Sequence, residues 1–254
     1  MITSKTNSLI KQARALRQSK ERAATGLFLV EGIHAVGEAV TAGWDVEAIL
    51  HSSGKLRSEY GLGLLSSFHG RIEDVAPDTL AYVADKDNPQ GIIAIVHQRR
   101  PNLVDIRKIR SGAALVSPQD PGNVGTIVRT LDAVASNVLF LLDGGVDPYH
   151  PSAIRASMGT SFWIPIVEAG FQEFVAWRGK QNYELIGTSA HEGRSLHDFR
   201  PGEPWILLLG SEQKGLSAEQ RQQCDVVLSL PMRGRTTSLN LAVAAGIFLY
   251  GLAA

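Results

Sequence analysis

The sequence predicts an α/β protein in two parts, a small α/β domain followed by a larger one built on a mostly parallel sheet. Three observations predict it. Short apolar segments alternate with helical patterns along the whole chain. In the second half those segments are continuously apolar, as in strands covered on both faces. Loops rich in glycine and polar residues follow several of them, where open α/β sheets hold ligands. A length of 254 residues suits one large or two modest domains. With 44% hydrophobic and 20% charged residues, the chain is neither disordered nor fibrous in composition.

The first element is an amphipathic helix, with Leu9, Ala13 and Leu16 at i, i+4 and i+7 and Lys11, Arg14 and Arg17 around the remaining arc. Leu27–Val30 reads as a strand, and a helical pattern from Glu31 to about Ala42 stops at Gly43. Asp45–Leu50 and Arg71–Val75 read as strands, Pro77 opens a short helix, and Gly91–Val96 is a buried strand. Residues 1–98 thus form the first domain. Residues 99–112, basic and without an apolar run, read as a linker, and the larger domain spans 113–254.

In that larger domain Ala113–Val116, Val138–Leu142, Phe162–Val167, Tyr183–Thr188, Trp205–Leu209 and Val226–Leu230 are expected as strands. Helices are expected at Val124–Ala135, Pro151–Met158 and Phe171–Arg178, between the last two strands, and from Leu239 to about Leu252. There is no internal repeat.

Lys plus Arg equals Asp plus Glu at 25 each, so the net charge names no partner. Locally the balance differs: residues 1–22 hold six basic residues, Lys5, Lys11, Arg14, Arg17, Lys20 and Arg22, against Glu21 alone. That excess points to an anionic partner, although a solvated helix face accounts for such a run equally well. The single cysteine, Cys224, excludes an intrachain disulfide and a cysteine-cluster zinc site. No apolar core follows Met1, and the apolar stretch from Leu241 is shorter than the roughly 20 residues of a spanning helix. The chain therefore reads as soluble and cytoplasmic.

Familiar nucleotide and hydrolase motifs fail. Gly61-Leu-Gly63 lacks the closing glycine of a dinucleotide fingerprint, and in Gly210–Gly215 the lysine precedes the second glycine, contrary to a phosphate loop. His191-Glu192 has Ser195 where a zincin needs histidine.

Three other loops carry chemistry. In Asp120-Pro-Gly-Asn-Val-Gly-Thr-Ile-Val-Arg129, Asn123 is expected to cap a helix on which Arg129 lies six residues later. Leu209-Gly-Ser-Glu-Gln-Lys-Gly-Leu-Ser217 delivers a Gly-Ser-Glu turn from an apolar strand. In Leu230-Pro-Met-Arg-Gly-Arg-Thr-Thr-Ser-Leu-Asn240, Ser238 is expected to cap the last helix and Asn240 to be a buried polar residue needing partners.

Together, in this order, the three strings resemble the motifs of the SpoU (TrmH-like) branch of the SPOUT RNA methyltransferases, over about residues 110–254. The region around Phe28-Leu-Val-Glu-Gly32 is similar to the small α/β RNA-binding domain that many members carry. The resemblance implies a catalytic domain with a deep trefoil knot, a connectivity that periodicity alone never shows. It implies methyl transfer from S-adenosyl-L-methionine to a ribose 2′-hydroxyl of rRNA, with tRNA as the alternative substrate and a non-catalytic RNA-binding protein as the alternative class. A sulfonium donor requires neither metal nor covalent intermediate.

Carried over by motif, Arg129, Asn123, Glu212, Ser238 and Asn240 are the catalytic set. Thr188, Ser189, Ala190, Leu209, Gly210, Gly215, Leu230, Pro231, Met232, Ser238 and Leu239 form the cofactor pocket. The resemblance assigns proton abstraction to Arg129. Because a guanidinium gives up its proton only far above neutral pH, an electrostatic clamp is the physically cheaper role, and base and clamp both stay open. Glu212 is expected to orient Arg129 or the ribose. RNA contacts are expected from Lys5, Lys11, Arg14 and Arg17, and near the site from Arg155, Arg233 and Arg235. A homodimer through the C-terminal helix is also implied. Two positions depart from the pattern: Thr237 stands at a commonly acidic position and Ser136 at a common glycine.

Overall fold

The computed structural model describes residues 1–84, 90–190 and 192–253, so His191 of the failed zincin motif lies outside the described residues. Up to residue 97 the elements are α1 (Ser8–Ala15), α2 (Ser19–Thr25), β1 (Leu27–Glu31), α3 (Ile33–Thr41), β2 (Val46–His51), α4 (Glu59–Ser67), β3 (Ile72–Asp74), α5 (Pro77–Val83) and β4 (Ile92–His97). There follow β5 (Ser111–Val116), α6 (Pro121–Ala133), β6 (Leu139–Leu142), α7 (Pro151–Ala156), β7 (Ile166–Ala169), α8 (Phe171–Gly179) and β8 (Glu184–Ser189). The chain ends with β9 (Arg194–Ser195), β10 (Trp205–Leu209), α9 (Ala218–Gln222), β11 (Val226–Ser229) and α10 (Leu241–Ala253).

Two compact units result: Met1–Arg99 with Tyr149–Trp163, and Arg100–Pro148 with Ile164–Ala254. Residues 149–163, expected in the second domain, therefore group with the first. The cause is burial: Tyr149, Ile154 and Phe162 join Phe28, Val36 and Ile49 in one apolar cluster. Nor is 99–112 a free linker, because Leu103 and Ile109 are buried in the core of the second unit.

In the first unit the strand order is β1-β4-β2-β3, with β4 antiparallel to both neighbours and β2 parallel to β3. Alternate residues serve opposite faces, as strand geometry requires. Leu27, Leu29, Ile93 and Ile95 pack with Leu9, Ile10, Ala13 and Leu16 of the N-terminal helix, whereas Phe28, Val30, Ile92 and Ala94 pack with Val36 and Phe162.

The second unit holds seven strands in the order β7-β6-β5-β10-β8-β11-β9, and its paired strands are all parallel. Ala113 and Leu115 face Val124, Ile127, Leu131 and Phe248, while Ala114 and Val116 face Phe171, Phe174 and Trp177. Both faces are thus covered, which explains the continuous apolar strands. Strands β5, β6 and β7 run to one edge, and β10, β8, β11 and β9 to the other. The order therefore reverses between β5 and β10, and the carboxyl ends beside such a switch point form a crevice.

Several details differ from expectation. Helix α4 was not foreseen, because Gly61 and Gly63 weaken its pattern. Phe162 ends a single 3-10 turn, leaving β7 to begin at Ile166. Helix α10 starts at Leu241, two residues late. Near α6 it is Ala135 that takes the left-handed turn conformation, while the Ser136 hydroxyl pairs with Ser111 at 2.7 Å in the core.

Candidate active site

The three loops singled out in the sequence leave the carboxyl ends of β5, β10 and β11. After β5, Ser117 takes a left-handed φ of 45°, a strained conformation for a residue with a side chain. Asp120 then caps α6, accepting from Gly122 N at 2.6 Å and Asn123 N at 3.1 Å, with Pro121 at the first helical position. The cap is thus Asp120 and not Asn123, which frees the Asn123 amide for other partners.

After β10 the chain folds back on itself. A Cβ on Gly210 would stand 2.0 Å from the carbonyl carbon of Gly215 and 2.2 Å from Leu216 N, so only glycine permits this turn. Gly215 N donates to Ser211 O at 2.9 Å and closes it.

After β11, the last helix is capped by Asn240, whose Oδ1 accepts from Ala242 N at 2.9 Å and Val243 N at 3.3 Å. The cap is therefore not Ser238, which lies two residues upstream. Asn240 is also exposed, not buried as expected.

These caps fix the direction of a polar chain. Since Asn240 Oδ1 is committed to backbone donors, its Nδ2 is the donor to Asn123 Oδ1 at 3.0 Å. Asn123 Nδ2 must then donate, and it meets Glu212 Oε1 at 3.4 Å. Glu212 also faces Gln119 N, 3.3 Å from each carboxylate oxygen. One residue from each loop is thereby joined in the series Glu212, Asn123, Asn240.

Glu212 lies in the wall of a cavity of about 350 Å³. Thr188, Ser189, Ala190, Leu209, Gly210, Gly215, Leu230, Met232, Ser238 and Leu239 all line it. Pro231 is exposed and stands outside the wall. Sequence reasoning missed Leu216, Arg221, Leu241, Ala244 and Phe248, which also line it. The spacing of Leu241, Ala244 and Phe248, at i, i+3 and i+7, was a readable signal for one helix face. Thr237, the departure from the family pattern, is in the wall as well.

Arg129 is exposed on α6 and outside the wall. Glu212 does not orient it, because the carboxylate is engaged with Gln119 and Asn123. Six residues separate Arg129 from Asn123, about 120° around the helix and 9 Å along it, so the two leave α6 on different sides. Arg155 lies on α7 and groups with the first unit. Arg233 and Arg235 are exposed on the loop that follows β11. Among the N-terminal cations, Arg22 is a structural group, 1% exposed and donating to Leu16 O and Arg17 O at 2.9 Å each.

Comparison with known proteins agrees with this architecture. Residues 112–250 match the family model described as the SpoU rRNA Methylase family, and residues 7–94 match an MRM3-like substrate binding domain. The 23S rRNA (guanosine(2553)-2′-O)-methyltransferase RlmP of Bacillus subtilis is 31% identical over 99% of this chain and 98% of its own length. A 23S rRNA (uridine(2479)-2′-O)-methyltransferase of Streptomyces viridochromogenes is 32% identical over 98% of this chain and 90% of its own. The crystal structure of an AdoMet-bound rRNA methyltransferase from Sinorhizobium meliloti superposes with a TM-score of 0.89, at 32% identity, covering 98% of this chain and 95% of that one. The methyltransferase AviRb from Streptomyces viridochromogenes, also crystallised with AdoMet, gives 0.88 at 31% identity, with 97% of each chain covered.

Proposed function

Because this chain belongs to the SpoU rRNA methylase family, we infer that it is an enzyme transferring a methyl group from S-adenosyl-L-methionine to a ribose 2′-hydroxyl of ribosomal RNA. The observation that carries this reading is that Glu212, a residue of the cavity wall, is joined through Asn123 to Asn240, one residue from each of the three loops. The lining suits the cofactor's chemistry. Leu209, Leu230, Leu241 and Phe248 offer apolar surface for an adenine, Thr188 and Ser189 offer hydroxyls, and Glu212 and Lys214 offer both charges for a zwitterion bearing a cationic centre. When bound, the cofactor supplies an activated methyl carbon.

The chain's own residues supply position. Holding the 2′-oxygen in line accounts for a large share of such a barrier, on the order of 7–11 kcal/mol in favourable intramolecular cases. Asn123, itself held by Asn240, keeps the Glu212 carboxylate fixed in the wall of the cavity, where it orients the ribose. Ser238, in the wall, borders the same space. Arg129 is the electrostatic clamp for the RNA backbone or for charge developing on the ribose oxygen. Being outside the wall, it makes no contribution to holding the cofactor. Arg129→Ala is accordingly expected to abolish labelled-methyl transfer to rRNA while the cofactor Kd, measured by calorimetry, stays within about two-fold of wild type. Tight cofactor binding without transfer from the wild-type chain to any RNA would point to an RNA-binding protein of the same fold. Transfer to tRNA alone would replace the substrate.

The target base is not part of this reading, since two relatives at 31% and 32% identity are named for guanosine and for uridine. A cytoplasmic location, where rRNA is available, belongs to it, as does the family's trefoil knot. Among the described residues no helix is long and apolar enough to cross a membrane. A homodimer through α10 also belongs to it. Val243, Ile247 and Tyr250, at i, i+4 and i+7, are 52%, 43% and 59% exposed, an apolar stripe along the helix. Ile247→Glu should convert a dimer to a monomer in sedimentation; a wild-type monomer would remove this part of the reading.

A further inference from the structure

A groove of about 290 Å³ on the first unit is lined by Lys11, Arg14, Ala15, Arg17, Gln18 and Tyr82. Three of the six are cations and none is an acid. The groove is held by tertiary bonds: Arg14 Nη1 donates to Tyr82 O at 2.7 Å and Arg17 Nη1 to Ala84 O at 3.2 Å, joining the N-terminal helical segment to the end of α5. The partner of Arg14 in that bond is a neutral carbonyl, so its charge remains available to an anion. Among the described residues Lys11 has no ion pair. Tyr82 is 38% exposed, with the Arg14 guanidinium 4.9 Å and the Lys5 ammonium 5.0 Å from its ring centroid.

A cluster of cations alone is a phosphate surface. An exposed aromatic ring among them adds a platform for an unstacked base, and guanidinium planes serve the same purpose. We propose that this groove binds one single-stranded nucleotide of the RNA substrate, its base against the Tyr82–Arg14 platform and its phosphates along Lys11 and Arg14. The groove shares no residue with the cavity of the second unit, and the nucleotide proposed for it is one other than the methylated one. The proposal rests on the RNA-methyltransferase reading and adds to it which face of the first unit grips RNA.

The test uses the full chain, with anisotropy of a short single-stranded RNA titrated against salt. Tyr82→Leu should weaken binding about ten-fold with the salt slope unchanged, the signature of lost stacking. Lys11→Glu should weaken it by a similar factor and flatten the slope by about one, the signature of a lost phosphate contact. Cofactor affinity and Tm should not move in Lys11→Glu, which separates the effect from misfolding. Affinity within two-fold of wild type in both variants would overturn the proposal. So would wild-type binding too weak to measure, or equal loss by Tyr82→Leu for RNA and for inorganic polyphosphate, which has no base. An acidic protein partner, blind to bases, falls under that last outcome. Groove variants that bind and methylate rRNA normally sink the groove alone, whereas a wild-type chain that methylates no RNA sinks the reading beneath it.

Discussion

The seven-stranded sheet carries a cavity at each end, about 350 Å³ at its carboxyl edge and about 380 Å³ at its amino edge. Volume does not tell them apart; the way their polar groups are satisfied does. At the amino edge the Arg178 guanidinium bonds Tyr183 O and the Asp225 carboxylate, Asp225 accepts from Leu185 N, and Glu184 accepts from Gly202 N. The backbone bonds among these span 5, 40 and 18 residues and tie charges to the strand ends beside them. At the carboxyl edge the bonds of Glu212 to Asn123, of Glu212 to Gln119 and of Asn123 to Asn240 span 89, 93 and 117 residues. Sequence span alone does not separate the edges, since Glu203 of the amino-edge cavity pairs with Arg110 across 93 residues. What separates them is that the amino-edge charges close on strand-end backbone or on an opposite charge, whereas at the carboxyl edge one carboxylate and two amides join three loops.

Substitutions at the two edges should therefore separate stability from chemistry. The largest effect is expected of Gly210→Ala, whose methyl would overlap the Gly215 backbone. Cofactor affinity, read by calorimetry, should fall by about 100-fold or more as the turn is displaced. Asn240→Asp comes next and is more informative. The aspartate keeps the oxygen that caps α10 but sets a second acceptor against Asn123 Oδ1. Turnover should fall by about 100-fold, the scale of a 1 Å misplacement, while Tm stays within a few degrees. Loss of Tm in proportion to activity would reduce Asn240 to a helix cap.

The amino edge should behave in the opposite sense. Asp225→Ala leaves the Leu185 N–H without its acceptor and the Arg178 guanidinium, 16% exposed, with Tyr183 O alone, which should cost about 1–2 kcal/mol, Asp225 itself being half exposed. That is a drop of about 2–8 °C in Tm, with transfer per folded molecule unchanged. The smallest effect concerns pH. Burial pushes the Cys224 thiol up to about 11 from an ordinary value near 9.0, the nearby Arg178 charge opposing the shift. A thiol pKa raised by folding leaves stability intact below about pH 9 and removes it as pH climbs through about 11. Tm should fall more steeply across that interval in wild type than in Cys224→Ala; parallel curves would show that the thiol does not contribute.

The fold class and the strands of the second unit were legible because apolar runs covered on both faces leave an unmistakable pattern, as in Trp205–Leu209. Local chemistry was harder to read. Asn123 and Asp120 are both good caps, and only the Pro121 that follows Asp120 marks the true one. Ser238 and Asn240 compete in the same way two residues apart, and the tertiary bond to Asn123 accompanies the choice of Asn240. The grouping of residues 149–163 with the first unit has no local sign, since Tyr149, Ile154 and Phe162 look like core residues of any domain. Charge counting misled at Arg22, a buried strut whose type alone resembles its exposed neighbours. What joined Asn123, Glu212 and Asn240 in advance was the likeness of three strings to one family, which no periodicity supplies.

Where the methyl group arrives separates ribose methylation from every other outcome. Purified protein should be incubated with methyl-labelled S-adenosyl-L-methionine and unmodified 23S rRNA, and the RNA digested to nucleosides and resolved by mass spectrometry. The label is expected on the ribose of a single nucleoside, arriving about 100-fold more slowly with Asn240→Asp and at the wild-type rate with Asp225→Ala. Label on a base, or equal loss in both variants, would contradict that expectation.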